Sequence, residues 1–314
     1  MKEFLKKYLW ILAALFCTML WGLASPTIKL GYQLFPVDTS DAFNIILFAG
    51  IRFVGAGIIA LLLTKVFTKE SPKFDKSMIG PIAILAIFQT AGQYTCFYLG
   101  LAVVDAAVGS VLTATSVFFT VILVTIVFRT ETLTARKIIA TILGLLGSIV
   151  LNIDHNLTLQ FRFYGEGLIL LSSLMNAFAN FFMSRFGKKH NLMAITGYQF
   201  FVGGLVMVVI AIIKKGSIGI PNINGMMVML VLMLIASLAY GIWSLLLKIK
   251  DTSHVVIFKS FTPVFGAFFS WVLLSEDIFN IRLLISLALI TLGTLLINYI
   301  PKNSNKNKKD YKPI

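Results

Sequence analysis

AFNIILFAGIRFVGAGIIALLL, residues 42–63, is the stretch on which the reading of the fold turns. It holds 22 residues and a single charge, Arg52, near its middle. At 1.5 Å per residue a helix of that length is about 33 Å long, enough to cross a hydrocarbon core of about 30 Å. The run contains Gly55-Ala56-Gly57-Ile58-Ile59-Ala60, a match to the dinucleotide pattern G-x-G-x-x-A. That pattern has chemistry only where a strand precedes it and a helix opens on its glycines. Here it lies inside an apolar run, so a nucleotide role is excluded.

The same texture recurs along the chain. Ten apolar runs are separated by short polar punctuation, at residues 8–30, 42–63, 77–104, 106–128, 133–153, 163–186, 193–213, 226–247, 255–274 and 278–300. The whole chain is 58% hydrophobic and 13% charged, with mean hydropathy +0.91, where soluble chains carry roughly 25% charged residues. A soluble globule of this length has too little interior for that much apolar surface. The first run follows MKEFLKK and resembles a secretory leader, but it is too long and lacks a small-x-small cleavage site. Cys17 follows the bulky Phe16, which does not suit lipoprotein processing. It is read as an uncleaved first helix. The fold class expected is an all-α membrane protein.

Charge orients the bundle. With the N-terminus in the cytoplasm, twenty of the 27 Lys and Arg residues fall on cytoplasmic segments, four on outer segments and three inside the runs. That asymmetry fits an even number of spans with both termini cytoplasmic, and a plasma-membrane location. The +14 net charge is scattered over short loops, without the basic face or aromatic signature of a nucleic-acid binder. The two cysteines lie far apart in apolar runs and read as inert thiols. The polar segment 302–314 reads as a solvated cytoplasmic tail able to touch anionic lipid.

The chain also repeats itself. TSVFFTVILVTIVFRTETL (115–133) and TPVFGAFFSWVLLSEDIF (262–279) align Ser116-Val117-Phe118 with Pro263-Val264-Phe265 and Glu131 with Glu276. The Gly147–Asn152 and Gly293–Asn298 ends align as well. This divides the chain into a five-helix repeat over 1–154, a second over 155–301, and the tail 302–314. An odd number of spans per copy makes the copies face opposite ways, the inverted-repeat layout in which substrate sites lie between halves near the midplane. The expectation is a ten-transmembrane-helix bundle built from two five-helix inverted repeats.

The sequence resembles the EamA branch of the drug/metabolite transporter superfamily over nearly its whole length. The resemblance is carried by Leu20-Trp21-Gly22 with Lys29, Arg52-Phe53, Tyr98-Leu99-Gly100-Leu101, Ser110-Val111-Leu112, Glu131-Thr132-Leu133 and the two Gly-rich ends. It implies an inverted-repeat permease that exports or exchanges amino acids and related metabolites, without naming the substrate. Related sugar-phosphate translocators hold anionic substrates with basic residues of the ninth span, which suggests such a role for Lys259.

Intramembrane charge is costly and marks functional positions. Arg52 lies about 15 Å into its run; it either pairs with carbonyl groups or meets a ligand. Lys259 either snorkels to the cytoplasmic interface or meets a ligand, and Lys29 reads as a snorkelling residue at the outer end of its run. All thirteen Asp and Glu residues fall in loops, tails or run ends, with Glu166 the nearest to the membrane. The intramembrane bases therefore lack acidic partners at their own depth, which leaves room for a substrate carboxylate and favours a facilitator or exchanger. Polar residues recur at helical spacing: Ser172, Asn176, Asn180 and Ser184; Gln89 and Gln93; Trp21, Ser25 and Lys29; Tyr240 and Ser244; Lys259, Pro263, Gly266 and Ser270. Such stripes either join helices or line a cavity. The candidate cavity is Lys259, Arg52, Asn176, Asn180, Gln93, Trp21 and Tyr240.

The function expected is alternating-access transport of a small molecule that can carry a carboxylate, with lipid as the surrounding partner, no cofactor, and oligomerisation left open. The competing reading is an intramembrane enzyme acting on a lipid or prenyl substrate. That chemistry needs an acidic metal cluster or a His/Asp pair at the interface, and the loops supply no such pattern.

Overall fold

In hydrocarbon a backbone N–H finds no water, so each segment must satisfy its own hydrogen bonds, which a helix does. The computed structural model describes residues 2–69, 71–129, 134–151, 161–187, 189–249, 255, 257–276 and 281–298, and among them it is helical with no strand. The helices are α1 (Lys2–Leu34), α2 (Ala42–Thr68), α3 (Lys76–Val103), α4 (Ala106–Val127), α5 (Ala135–Leu151), α6 (Phe163–Phe186), α7 (Leu192–Ile213), α8 (Ile223–Ile249), α9 (Thr262–Leu274) and α10 (Ile281–Asn298). Seven of these described helices, α1 to α4 and α6 to α8, are long and apolar enough to cross a membrane. The other three stand where the fifth, ninth and tenth runs were expected. α9 has 13 residues, about 20 Å, but the five-residue 3-10 turn Ile257–Phe261 leads into it and adds about 10 Å. Glu131-Thr132-Leu133, His155, Asn156, His254 and the polar tail lie outside the described residues.

Local chemistry sets where helices begin and bend. Asp41 caps α2 by accepting from Phe43 N–H at 2.8 Å, and Asn191 caps α7 through Met193 and Ala194 N–H at 3.1 and 3.3 Å. Pro26 lies inside α1 and removes the N–H that would bond the Gly22 carbonyl, a weak point one turn below Lys29. Pro263 sits in the first turn of α9, where its missing N–H costs nothing. Three runs contain wide π-helical turns: Ala86–Ala91 in α3, Leu123–Val127 ending α4, and Phe163–Gly167 opening α6. α4 also tightens to i→i+3 bonding around Ala114 and Thr115.

Packing follows a regular scheme. α2 lies along α7, α5 along α10 and α4 against α9; α1 meets α8 and α9, and α6 meets α3 and α4. The α2–α7 contact brings backbones together at glycines. A Cβ on Gly57 would meet Phe201 N at 2.5 Å, and one on Gly204 would meet Val54 N at 2.6 Å. Gly57, the second glycine of the misleading dinucleotide match, is thus a helix-crossing residue. Outward faces carry large apolar side chains such as Leu62, Val66, Ile142, Ile212, Ile213 and Leu292, all exposed. A contiguous apolar exterior of this kind needs a lipid solvent.

Candidate functional site

The inner faces of α1, α3, α4, α6, α8 and α9 leave a cavity of about 100 Å³ between them. That is several times the roughly 10–15 Å³ that a single water requires. α3 turns Gln93, Tyr94 and Phe97 into it, and α6 turns Ser172, Ser173 and Asn176. The tightened part of α4 contributes Thr113, Ala114 and Ser116, and α1 contributes Trp21, Ala24 and Ser25. Tyr240 comes from α8, and Lys259 and Thr262 from the 3-10 turn and the first residue of α9.

Among the described residues, Lys259 is the only charged one lining the cavity. Its Nζ lies 5.2 Å from the Trp21 ring centroid and 5.4 Å from that of Trp243, within cation–π range. It donates to Asn176 Oδ1 at 3.4 Å and Asn180 Oδ1 at 3.5 Å. Asn180 Nδ2 in turn donates to Asn176 Oδ1 at 2.9 Å, and Asn176 Nδ2 to Gln93 Oε1 at 3.1 Å. Tyr94 donates its hydroxyl to Tyr240 at 2.8 Å, and Trp21 packs edge-on to both Tyr240 and Trp243. Among the described residues, three buried polar atoms here have no hydrogen-bond partner: Trp21 Nε1, Trp243 Nε1 and Thr262 Oγ1.

Of the seven expected residues, Lys259, Asn176, Gln93, Trp21 and Tyr240 line the cavity. Asn180 stands one step back and holds Asn176 and Lys259. Arg52 does not reach it. That side chain, 2% exposed, donates through Nε to the Leu232 carbonyl at 3.0 Å and through a terminal nitrogen to the Tyr98 hydroxyl. Its guanidinium carbon lies 5.0 Å from the Phe53 ring centroid, and Phe53 packs on Tyr94 at 4.2 Å. An aromatic wall therefore separates Arg52 from the cavity, and carbonyl, phenol and ring faces compensate its charge. Thr113, Tyr94, Phe97 and Thr262 were not among the expected residues. Ser25 and Ser116 had appeared only in a polar stripe and in the repeat alignment.

The expectation for Lys29 needs correction. Its Nζ lies 3.6 Å from Glu276 Oε1 and 3.9 Å from Asp105 Oδ1, so this base has acidic partners. Glu276 also accepts from the first N–H groups of α4, Ala106 at 2.9 Å and Ala107 at 3.0 Å, where the helix dipole favours a carboxylate. One turn deeper, Ser110 Oγ meets Ser25 Oγ at 3.0 Å. Deeper still, a Cβ on Gly22 would meet Phe265 Cβ at 2.5 Å and Gly266 N at 2.8 Å. α1, α4 and α9 are thereby tied at one end of the cavity. Glu166 is away from it, bound to Arg162 at 3.0 Å. That hydrogen bond raises the Arg162 guanidinium above its ordinary value. Other polar stripes join helices: Gln199 donates to Gln89 at 3.4 Å and pairs with Thr90, while Ser184 bonds the Phe181 carbonyl of its own helix.

The description EamA-like transporter family matches this chain twice, over residues 8–153 and 163–299. The chain is similar to an uncharacterized transporter, YoaV, of Bacillus subtilis (strain 168), 23% identical over 298 residues and covering 89% of this chain and 93% of that one. It is also similar to an uncharacterized transporter of Archaeoglobus fulgidus, 25% identical over 295 residues, covering 92% and 98%. A crystal structure of a protein 16% identical superposes with a TM-score of 0.65 over 90% of this chain and 95% of that one, which shows a shared fold.

Proposed function

The chain belongs to the EamA-like transporter family, is a multi-pass membrane transporter, and on that premise we propose that it carries small carboxylate-bearing metabolites across the plasma membrane by alternating access. The observation that carries the reading is Lys259, a cation held in a polar cavity by ring faces and two amide oxygens, with no carboxylate among the described residues that line the cavity. Among the described residues, the Trp21 and Trp243 indole N–H groups and the Thr262 hydroxyl stand unpartnered. Such a constellation of donors suits an incoming carboxylate.

The alternating mechanism draws support from the packing scheme. If α1 to α5 correspond to α6 to α10, the contacts α2–α7, α4–α9 and α5–α10 map onto themselves, and α1–α8 and α1–α9 map onto α6–α3 and α6–α4. The two successive family matches fit the same division into ten spans and two inverted repeats. In the orientation set by the basic residues, the ties among Lys29, Glu276, Ala106 and Ser110 lie on the outer side and hold α1, α4 and α9 shut there. Export or exchange then requires those ties to release while the cytoplasmic end closes.

Uptake and counterflow of a panel of carboxylates into proteoliposomes tests the reading. A charge-assisted contact contributes about 1.5–3 kcal/mol, or about 10- to 150-fold in affinity. Lys259→Met should weaken a carboxylate substrate by that order with normal expression. Wild-type affinity for every substrate in Lys259→Met would refute it.

A further inference from the structure

Resting on the reading of this cavity as the substrate site, we propose that it selects small organic monoanions without an ammonium group and discriminates against zwitterions of the same size and shape.

The first support is charge. Among the described residues, the cavity is lined by one cation and no carboxylate. The acids described near the same helices are engaged elsewhere: Glu276 and Asp105 with Lys29, and Glu166 with Arg162. A second buried cation, Arg52, stands behind the Phe53–Tyr94 wall. An anion entering is attracted by Lys259 and by this background. An ammonium entering meets the same field with the opposite sign and finds no carboxylate among the described residues of the lining.

The second support is the inventory of donors and acceptors. A carboxylate is acceptor-only and an ammonium is a three-fold donor. Among the described residues the unpartnered groups here are the indole N–H of Trp21 in the lining and that of Trp243 packed against it, with the Thr262 hydroxyl able to turn either way. The amide and carbonyl acceptors that could receive an ammonium each take a hydrogen bond already. Asn176 Oδ1 takes Asn180 and Lys259, Gln93 Oε1 takes Asn176, the Tyr240 hydroxyl takes Tyr94, and the Leu112 carbonyl takes Ser173. An ammonium would compete with these donors for the amide oxygens or turn to neutral serine and threonine hydroxyls, which do not balance its charge. Holding a carboxylate requires none of these bonds to break.

The third support is size. A cavity of about 100 Å³ with Phe97, Ala24 and Ala114 on the walls suits a short branched or aromatic acid. A hydroxyl on such an acid meets the serine and threonine side of the cavity without adding charge.

The decisive comparison is isosteric. 2-Hydroxy-3-methylbutanoate and valine differ by a hydroxyl in place of an ammonium. Binding to the purified full-length protein is read by thermal stabilisation, and transport by proteoliposome counterflow. Lys259→Met and the more polar Lys259→Gln serve as paired variants, each first checked for an unchanged unliganded melting point. The hydroxy acid should bind about 10-fold or more tightly than valine, and both variants should lose its binding. Valine bound as tightly or more tightly, with binding lost in both variants, overturns the selectivity and leaves the site standing. Binding of either acid that is untouched in both variants, or binding of neither acid, overturns the selectivity and the site together.

Discussion

Glu276→Gln tests whether the tie among Lys29, Glu276 and the start of α4, proposed to lie at the outer end of the cavity, is what holds the protein shut. The wild-type carboxylate receives the Ala106 and Ala107 N–H groups on separate oxygens at 2.9 and 3.0 Å, with Lys29 Nζ at 3.6 Å. Glutamine keeps one acceptor, but its amide N–H₂ faces the second backbone N–H as donor against donor, and the charge opposite the helix dipole is gone. Taking the loss as one hydrogen bond to a charged group gives about 1.5–3 kcal/mol, or about 10- to 150-fold in the closed-to-open equilibrium. The reporter is Ser25→Cys, which lies in the cavity just beneath the tie, in a chain carrying Cys17→Ala and Cys96→Ala. Its labelling by a membrane-impermeant thiol reagent from the outer side should accelerate by that factor when Glu276→Gln is added. Glu276→Asp, which keeps the charge but not the reach, should fall between. Equal labelling rates with and without Glu276→Gln in folded protein would show that the carboxylate is not the latch.

Three further outcomes are expected. Tags fused at Met1 and Ile314 should both report the cytoplasm, and a tag after Asn156 the outside; an external C-terminus would refute the even-span topology. Arg52→Lys should lower the melting temperature more than Arg52→Met, because a buried ammonium cannot serve both the Leu232 carbonyl and the Tyr98 hydroxyl whereas an apolar chain leaves no charge to compensate; the reverse order in a melting series would refute that account. Glu166→Gln should leave flux largely intact and independent of a proton gradient, since Glu166 is bound to Arg162 and does not line the cavity; loss of gradient-driven flux with binding retained would refute it.

What could be read from the chain was whatever depends on one helix at a time. Apolar run length is a one-dimensional quantity, and the runs lie on helices wherever residues are described. The polar stripe of α6 was legible for the same reason, because four-residue spacing places Ser172 and Asn176 on one face. Partnership was not legible. Arg52 could be placed at mid-depth by counting, but its acceptors lie 46 and 180 residues along the chain. Lys29 looked unpaired because the carboxylate that meets it belongs to the residues after α9. Thr262 and Tyr94 were missed because neither a threonine beside a proline nor a tyrosine in an aromatic run carries a signal in its own segment.

The π-helical turn Ala86–Ala91 bears on how this helix tolerates length change. Its closing bond runs from Gly92 N–H to the Ile87 carbonyl, five residues back. A turn of that kind holds one residue more than an α-helical turn while leaving the helix on either side in its own register. Losing a residue of α3 ahead of this turn would swing everything beyond it by about 100° around the axis, and Gln93, Tyr94 and Phe97 would leave the cavity together. Losing one inside Ala86–Ala91 would restore an ordinary α-helix and keep those three facing inward. Between the start of this helix and Gln93, a single-residue deletion is admissible in this turn, which lies next to the binding residues.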